Sequence, residues 1–246
     1  AALVFTLAAW EWANLAGFPA PVHRVLVAVV FAAGAMLIAE MTGIAGENLD
    51  EGMVLGFLAA ACCFWLFSIY WVLTFPESAK IWAWRWVRLM VGAMVLWPAW
   101  VAIAYLRGRD EGTGVFIYLV ALVSAADIGA YFCGRAFGKR KLAPRVSPGK
   151  SWAGFVGGLM STTLLALLVG WLALLPSLSP VVLLVATVVA SVASVFGDLV
   201  ESMLKRECGI KDSSNLLPGH GGVLDRIDSM TAAAPVFALF LILMQA

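Results

Sequence analysis

Long apolar runs, separated by short charged connections, dominate this chain of 246 residues. The runs cover residues 1–17 (partial), 22–42, 52–75, 84–106, 113–136, 152–175, 181–204 and 229–246. A hydrocarbon core of ~30 Å is crossed by about 20 residues of α-helix. Lipid offers no partners to backbone N–H and C=O groups, so a helix is the economical way to cross it. We therefore predict an all-α, polytopic transmembrane protein with about eight visible spans.

The composition agrees with a membrane protein and not with a soluble domain. Hydrophobic residues make up 63% and charged residues only 13%, against roughly 45–50% and about 25% in soluble domains. The net charge of +1 indicates no particular partner, and we expect no nucleic-acid partner. The first run begins without a basic segment or a cleavage site, so we expect the second half of a span, with residues missing upstream, and no signal peptide.

The charged residues divide the chain into three regions. We distinguish N-terminal transmembrane helices (1–110), a middle transmembrane region (111–180) with a basic loop at 138–150, and a C-terminal, catalytic region (181–246) that contains the charged stretch 202–228. The basic loops 138–150 and 205–228 lie on the same side if the intervening runs all span the membrane. The positive-inside rule predicts that this side is cytoplasmic.

The first basic loop lies within "ADIGAYFCGRAFGKRKLAPRVSPGKSWAGFVGG". Its "PGKS" is not a P-loop, because Pro144 stands where that motif requires glycine. A cationic loop at the membrane surface suits an anionic headgroup or a polyphosphate, although it could serve only to orient the chain. Asp127 lies roughly two turns inside a span, where an ionisable residue indicates either function or a helix-packing partner. The G-x-x-x-G spacings at 134–138 and 154–158 predict close helix packing.

The second charged loop lies within "GDLVESMLKRECGIKDSSNLLPGHGGVLDRID", residues 197–228. Positions i, i+3, i+4 and i+7 share one face of a helix, and here they are Asp198, Glu201, Ser202 and Lys205. Asp225 and Asp228 form an i, i+3 pair at the start of the next span. The glycine-rich "LLPGHGG" predicts a tight turn. We therefore expect Asp198 and Asp225 to face each other.

Opposed carboxylates beside basic side chains are what phosphoryl or nucleotidyl transfer requires. Carboxylate oxygens suit a hard cation such as Mg²⁺, and lysine or arginine neutralises the remaining oxyanions. A cation or proton relay in a transporter could look similar, and so could helix ends that are simply paired by salt bridges.

The segment "SMLKRECGIKDSSNLLPGHGGVLDRID", residues 202–228, resembles the signature of the phosphatidate cytidylyltransferases, or CDP-diacylglycerol synthases. The Lys-Arg pair, the Lys-Asp pair, His-Gly-Gly and Asp-Arg-x-Asp all agree in spacing. The first basic loop and "AAWEWANLAG" also resemble the bacterial form. The resemblance covers most of the chain and is weakest between residues 25 and 110.

This resemblance implies a membrane enzyme of phospholipid biosynthesis that transfers CMP from CTP to phosphatidic acid. The products would be pyrophosphate and CDP-diacylglycerol. It also implies one more N-terminal span upstream of residue 1, dependence on Mg²⁺, a monovalent cation such as K⁺ at the metal centre, and a homodimer. The expected location of the protein is the bacterial inner membrane, among membrane lipids, with the active site facing the cytoplasm.

The resemblance also assigns roles to individual residues. The metal ligands would be Asp198 and Asp225, with Asp228 close by. The expected catalytic residues are Asp198, Asp225, Lys205, Arg206 and His220. The expected substrate-binding residues are Lys211, Asp212, Arg226, Ser202, Ser147, Lys150, Ser151 and Asp127. The second pKa of a phosphomonoester is about 6, so the attacking lipid phosphate is already ionised. We therefore expect His220 to orient phosphate or complete the loop, and not to act as an obligatory base.

Two other classes of protein fit less well. An alcohol phosphatidyltransferase would carry a D-G-x-x-A-R pattern, which this sequence lacks. A cation-coupled transporter would favour inverted repeats and polar residues near the midplane. We find no internal repeat, and the charges gather at one end of the spans.

Overall fold

The computed structural model describes residues 2–46 and 48–245. Ala1 and Ala246, at the ends of the first and last predicted spans, and Glu47 lie outside the described residues. The elements are α1 (Ala2–Leu15), α2 (Pro21–Thr42), α3 (Glu51–Leu73), α4 (Ala79–Trp82), α5 (Arg85–Gly108), α6 (Gly112–Phe137), β1 (Lys141–Ala143), β2 (Ser147–Ser151), α7 (Trp152–Trp171), α8 (Pro180–Glu207) and α9 (Leu224–Gln245).

Seven helices in the described part of the chain are long and apolar enough to cross a membrane: α2, α3 and α5 to α9. This confirms the prediction of a polytopic helical membrane protein. The helix α1 coincides with the predicted partial span 1–17, and its 14 residues are fewer than the about 20 that a bilayer requires.

Local capping signals explain why the helices begin and end close to the predicted positions. The side chains of Asp50, Ser151 and Ser179 accept hydrogen bonds from the first-turn amides of α3, α7 and α8. Side-chain oxygens of this kind replace the partners that the first amides of a helix lack. At the other end of α2, Gly43 adopts a left-handed conformation (φ 66°) that favours glycine.

Helices α6 and α7 pack with their backbones in close contact, as the glycine spacings predict. A Cβ atom on Gly154 would lie 2.9 Å from the carbonyl oxygen of Ala130, and one on Gly158 would lie 2.9 Å from that of Ala126. Small residues at such an interface let two helices approach where lipid supplies no hydrophobic driving force.

The helix α9 is the most buried of the seven candidate spans in the described chain. It contacts α1, α3, α5, α6 and α8. Its approach to α8 is closest at Gly197, where a Cβ atom would lie 2.5 Å from the carbonyl oxygen of Asp228. The acids at the N-terminal end of α9 are therefore held against the C-terminal half of α8.

The basic loop 138–150 departs from the all-α expectation, because its residues form a short antiparallel hairpin. Lys141 pairs with Ser151 and Ala143 pairs with Ser147. Val146 is 1% exposed and packs in the same core as residues of α8. The prediction of helices alone rests on the lack of backbone partners in lipid, and this segment lies beyond the apolar spans. The "PGKS" segment is strand β2, in line with the rejection of a P-loop.

Candidate active site

Most of the predicted site residues meet at one end of the helical bundle. The C-terminal turns of α8, the first turns of α9, the hairpin and the end of α1 surround the connecting loop, which we define as residues 208–223. Its "LLPGHGG" forms the predicted tight turn: Leu217 and Gly221 are bridged, and Gly219 (φ 75°) and Gly221 (φ 81°) adopt left-handed conformations. These are conformations that glycine adopts without steric cost.

Asp198 is paired with a lysine from the hairpin. The Nζ atom of Lys150 lies 2.7 Å from Oδ2 of Asp198, and the hydroxyl of Ser202 donates to Oδ1 at 3.0 Å. The side chains of Lys150 and Asp198 are 24% and 27% exposed, so water and a solute can reach them. The structure therefore brings the predicted substrate residues Lys150 and Ser202 to the predicted metal ligand Asp198.

Lys205 neutralises two acids at once. Its Nζ atom lies 2.6 Å from Oδ1 of Asp225 and 3.1 Å from Oε1 of Glu201. The side chains are 11% exposed for Lys205, 8% for Asp225 and 4% for Glu201. Where so little solvent reaches the charges, the attraction between them is much stronger than at a surface. Removal of one partner leaves an uncompensated buried charge and therefore costs much of the free energy of folding.

Asp225 also organises the connecting loop. Its Oδ2 atom accepts hydrogen bonds from the amide of Gly222 at 2.7 Å and from the amide and hydroxyl of Ser213, both at 2.9 Å. A carboxylate offers about four lone-pair sites, so these donors and Lys205 occupy most of them. Asp225 could bind a metal ion only if one of its present donors moved away.

Asp228 belongs to the same group of acids. It accepts a hydrogen bond from the amide of Ser229 at 2.7 Å and interacts electrostatically with Asp198 and Glu201. Apart from the 3.1 Å contact of its Oε1 atom with Lys205, the Glu201 carboxylate accepts no hydrogen bond from the residues that the structure describes. Glu201 was on the predicted face of α8 but had no predicted role. The sequence did not show that this side chain is buried.

We call these six side chains the α8–α9 cluster: Asp198, Glu201, Asp225, Asp228, Lys150 and Lys205. When all are ionised, four negative charges face two positive charges. Within the described ranges no group of three or more His, Cys, Asp or Glu residues is gathered tightly enough to form a ready metal site. The cluster therefore has two more acidic than basic side chains, and three of its four carboxylates are already paired with lysines.

Glu11 is a site residue for which the sequence analysis predicted no role. Its side chain is 0% exposed, yet it comes from α1, about 200 residues before the connecting loop. It accepts hydrogen bonds from the hydroxyls of Ser213 and Ser214 and from the amides of Val223 and Leu224. The available signal was a single acid within the apolar run "AAWEWANLAG", which is a functional hypothesis by default in a span.

Asp127 lies beside a cavity of about 230 Å³ between α6, α7, α8 and the hairpin. Lys150, Ser194 and Ser229 also line this cavity, and Asp127 interacts electrostatically with Asp198 and Lys150. The structure thus places Asp127 next to the α8–α9 cluster, as expected for a substrate-binding residue, although that role stays a prediction.

A second, more exposed cavity of about 330 Å³ lies over the connecting loop and includes four predicted residues: Lys211, Asp212, His220 and Arg226. The guanidinium of Arg226 donates two hydrogen bonds to the carbonyl oxygen of His220, at 3.1 and 2.6 Å. The Nδ1 atom of His220 lies 3.1 Å from the carbonyl oxygen of Pro218. Arg226 therefore stabilises the turn of the connecting loop.

Three other predicted residues have structural contacts. Arg206 donates from Nε to the carbonyl oxygen of Val146 at 3.2 Å and so ties α8 to the hairpin. Ser151 caps α7 through the amide of Gly154 at 3.1 Å, and Ser147 is half-buried in β2. Their proposed contacts with substrate stay predictions.

Removal of the Lys205 ammonium should destabilise the protein, because Glu201 and Asp225 would lose their shared cation. We expect Lys205→Met to lower the free energy of unfolding by about 3 kcal/mol or more, seen as a lower midpoint of thermal unfolding in detergent. Adding Glu201→Gln should recover part of the loss. Lys139→Met, at an exposed lysine, is the matched control. Equal midpoints for Lys205→Met and Lys139→Met would contradict the buried pairing.

Comparison with known proteins matches nearly the whole chain to one family. The model of the cytidylyltransferase family matches residues 1–244. The chain is 48% identical over 238 residues to a phosphatidate cytidylyltransferase of Pseudomonas aeruginosa, covering 97% of this chain and 84% of that protein. It is 41% identical over 252 residues to one of Haemophilus influenzae (96% and 86% coverage) and 44% identical over 138 residues to one of Bacillus subtilis (56% and 51%). The chain therefore belongs to the cytidylyltransferase family.

Proposed function

We propose that this protein is a phosphatidate cytidylyltransferase, which transfers CMP from CTP to phosphatidic acid and releases pyrophosphate. Membership of the family and the names of its relatives support this activity. The observation that carries it is the position of the α8–α9 cluster. Acids and lysines converge where helices long enough to span a membrane meet polar loops, so that a nucleotide from water and a lipid from the bilayer can both reach them.

We also propose that this end of the bundle faces the cytoplasm of a bacterial cell, at the inner membrane. The hairpin and the connecting loop, which contain most of the basic loop residues, lie together at this end. Basic residues are retained on the cytoplasmic side of membrane proteins, and CTP is made in that compartment. A homodimer stays a prediction from the family resemblance.

The donor set fits a divalent cation. All the candidate ligands are carboxylates, which are the oxygen donors that Mg²⁺ prefers, and the cluster has two more acidic than basic side chains. We propose that Asp198, Asp225 and Asp228 would hold the ion. When bound, Mg²⁺ would neutralise charge on phosphate oxygens. The monovalent cation implied by the resemblance would contribute further positive charge beside these carboxylates.

The protein's own task in this reaction is to position and neutralise charged groups. An oxygen of the phosphatidic acid phosphate would attack the α-phosphorus of CTP, forming a new P–O bond while the bond to the β-phosphate breaks and pyrophosphate leaves. Since the second pKa of a phosphomonoester is about 6, the nucleophile needs little help from a base. Lys150 and Lys205 supply positive charge from two sides, and an ordered arrangement of this kind lowers the barrier.

Asp198→Asn and Asp225→Asn should each lower transfer of labelled CMP from CTP to phosphatidic acid by about 100-fold or more, since the charge that holds the cation is lost. The substitutions keep the size of each side chain, and size-exclusion chromatography checks that the proteins fold. Asp110→Asn, at an exposed acid outside the α8–α9 cluster, is the control and should stay active. Near-normal activity in either cluster variant would reject metal ligation by that residue.

The position of His220 favours an orienting role. It lies on the exposed turn of the connecting loop, and its ring nitrogen is next to a loop carbonyl oxygen. A general base typically contributes about 10²–10⁴-fold to a rate. We expect His220→Asn to lose less than about 100-fold, measured in the same assay. A complete loss that added imidazole restores would show instead that His220 is a base.

An apolar groove of about 580 Å³ offers a place for the acyl chains. It lies between α1, α5, α6 and α9 and is lined by Phe5, Trp100, Val120 and Met230, among others. Arg226 lines the same groove and lies on the first turn of α9, one residue from Asp225. We propose that phosphatidic acid lies with its chains in this groove and its phosphate toward the α8–α9 cluster, an arrangement that long cationic side chains at a membrane interface support.

Filling the groove should weaken the binding of lipid and not of nucleotide. We expect Val120→Trp to raise KM for phosphatidic acid about tenfold while KM for CTP changes little, because only uniform binding of the lipid is lost. Ile117→Trp is the matched control, since Ile117 is 61% exposed on the same helix and does not line the groove. Equal effects of the two tryptophans on KM for lipid would exclude this groove.

A further inference from the structure

Glu11 lies at the centre of a hydrogen-bond network that joins the two sides of the connecting loop. Its Oε2 atom accepts from the hydroxyl of Ser213 at 3.2 Å and from the amide of Leu224 at 2.6 Å. Its Oε1 atom accepts from the hydroxyl of Ser214 and, at 3.0 Å, from the amide of Val223. Residues 213–214 precede the turn and residues 223–224 follow it. One side chain therefore holds the two ends of the turn together.

The amides of Val223 and Leu224 lie at the N-terminus of α9, where amides lack intrahelical partners. A carboxylate there satisfies them and interacts favourably with the positive end of the helix. Glu11 thus acts as a cap supplied by a distant helix. Because Asp225 follows immediately and Asp228 lies one turn later, the same contact sets where both acids lie.

Ser213 connects Glu11 directly to the α8–α9 cluster. Its hydroxyl lies 3.2 Å from Oε2 of Glu11 and 2.9 Å from Oδ2 of Asp225. A hydroxyl has one proton to donate, so it serves one carboxylate at a time, and both acids lie within hydrogen-bond distance of this one oxygen. Gly222 permits this approach, because a Cβ atom there would lie 2.0 Å from Oγ of Ser213 and 2.6 Å from Oε1 of Glu11.

Helix α1 is itself held rigidly, so Glu11 is a fixed point. The indole nitrogen of Trp12, a residue that is 1% exposed, donates to the carbonyl oxygen of Arg88 at 2.8 Å. At the end of α1, the carbonyl oxygen of Leu15 accepts from Arg88 at 3.1 Å and from the thiol of Cys208 at 3.3 Å. The first residue of the connecting loop is thus tied to α1 as well.

We propose that Glu11 is a positioning residue for the cytidylyl transfer: it clamps the connecting loop against α1 and thereby places Asp225 and Asp228. This inference rests on the proposed function, because it assigns those acids to the reaction. Glu11 itself contacts loop residues and need not touch either substrate. Loss of the clamp should therefore loosen the loop and slow the reaction within otherwise folded protein.

The test compares Glu11→Gln with Glu11→Ala and Ser214→Ala. Glutamine keeps one acceptor oxygen and leaves one helix amide facing an NH₂ group, alanine removes every acceptor, and Ser214→Ala removes one donor. Glu40→Gln makes the same chemical change at an exposed site on α2 and is the matched control. Wild type and all variants are purified as the full chain in detergent.

The first measurement needs no substrate. Lys211 is an exposed trypsin site inside the connecting loop, and cleavage after it is followed by mass spectrometry. Since hydrogen bonds to a charged group are stronger than those between neutral groups, we expect Glu11→Gln to be cut about tenfold faster than Glu40→Gln. Ser214→Ala should show a smaller increase and Glu11→Ala a larger one.

The second measurement is the rate per folded molecule. We expect kcat of Glu11→Gln to fall about tenfold with less than about a threefold change in KM for phosphatidic acid. A residue that only supports folding would lower the yield or the unfolding midpoint and leave the kcat of the folded fraction unchanged. The proposal is overturned if kcat is unchanged, or if kcat falls while cleavage matches the control.

Two further outcomes are informative. If Glu11→Gln does not fold, Ser214→Ala decides, because it leaves no unpaired buried charge; unaltered cleavage in that variant would overturn the clamp. If wild type transfers no CMP at all, the proposed function fails, and the trypsin comparison still shows whether Glu11 holds the loop.

Discussion

The pairing of buried acids with lysines is the interaction on which the rest of the site depends. Carboxylates placed among apolar helices are costly unless a positive charge or hydrogen bonds accompany them. Lys205 lies within 2.6 Å of Asp225 and 3.1 Å of Glu201, and Lys150 lies within 2.7 Å of Asp198. These pairs join α8, α9 and the hairpin. The same ion pairs therefore balance the charges at this end of the bundle and hold its elements together.

Close backbone packing makes that pairing possible. Gly197 lets α8 and α9 approach until the backbone at Asp228 lies against it, and the connecting loop reverses the chain within 16 residues, 208–223. Two carboxylates then bind the loop from opposite sides, Asp225 from its C-terminal end and Glu11 from α1. Hydrogen bonds from both carboxylates restrict the movement of the loop, which suits a reaction whose acceleration comes mainly from placing charges.

The features that a local sequence pattern determines were predicted correctly. The spans, the tight turn at "LLPGHGG" and the close packing of α6 on α7 follow from hydropathy, glycine geometry and the G-x-x-x-G spacing, and each is confirmed. The hairpin was not predicted, because its strands are stabilised by pairing with each other and by burial of Val146 beside α8. Glu11 had no predicted role, because its partners lie about 200 residues away in the chain.

The sequence alone was enough to predict a polytopic helical membrane protein, the family signature and the face of α8 that bears Asp198, Glu201, Ser202 and Lys205, since helical periodicity and apolar length are local properties. Only the tertiary structure decided which acid pairs with which lysine, that Asp225 is largely occupied by loop donors, and that Glu11 joins the site. Those outcomes depend on distances between segments remote in the chain, and such distances are determined by how the helices pack and not by their individual sequences.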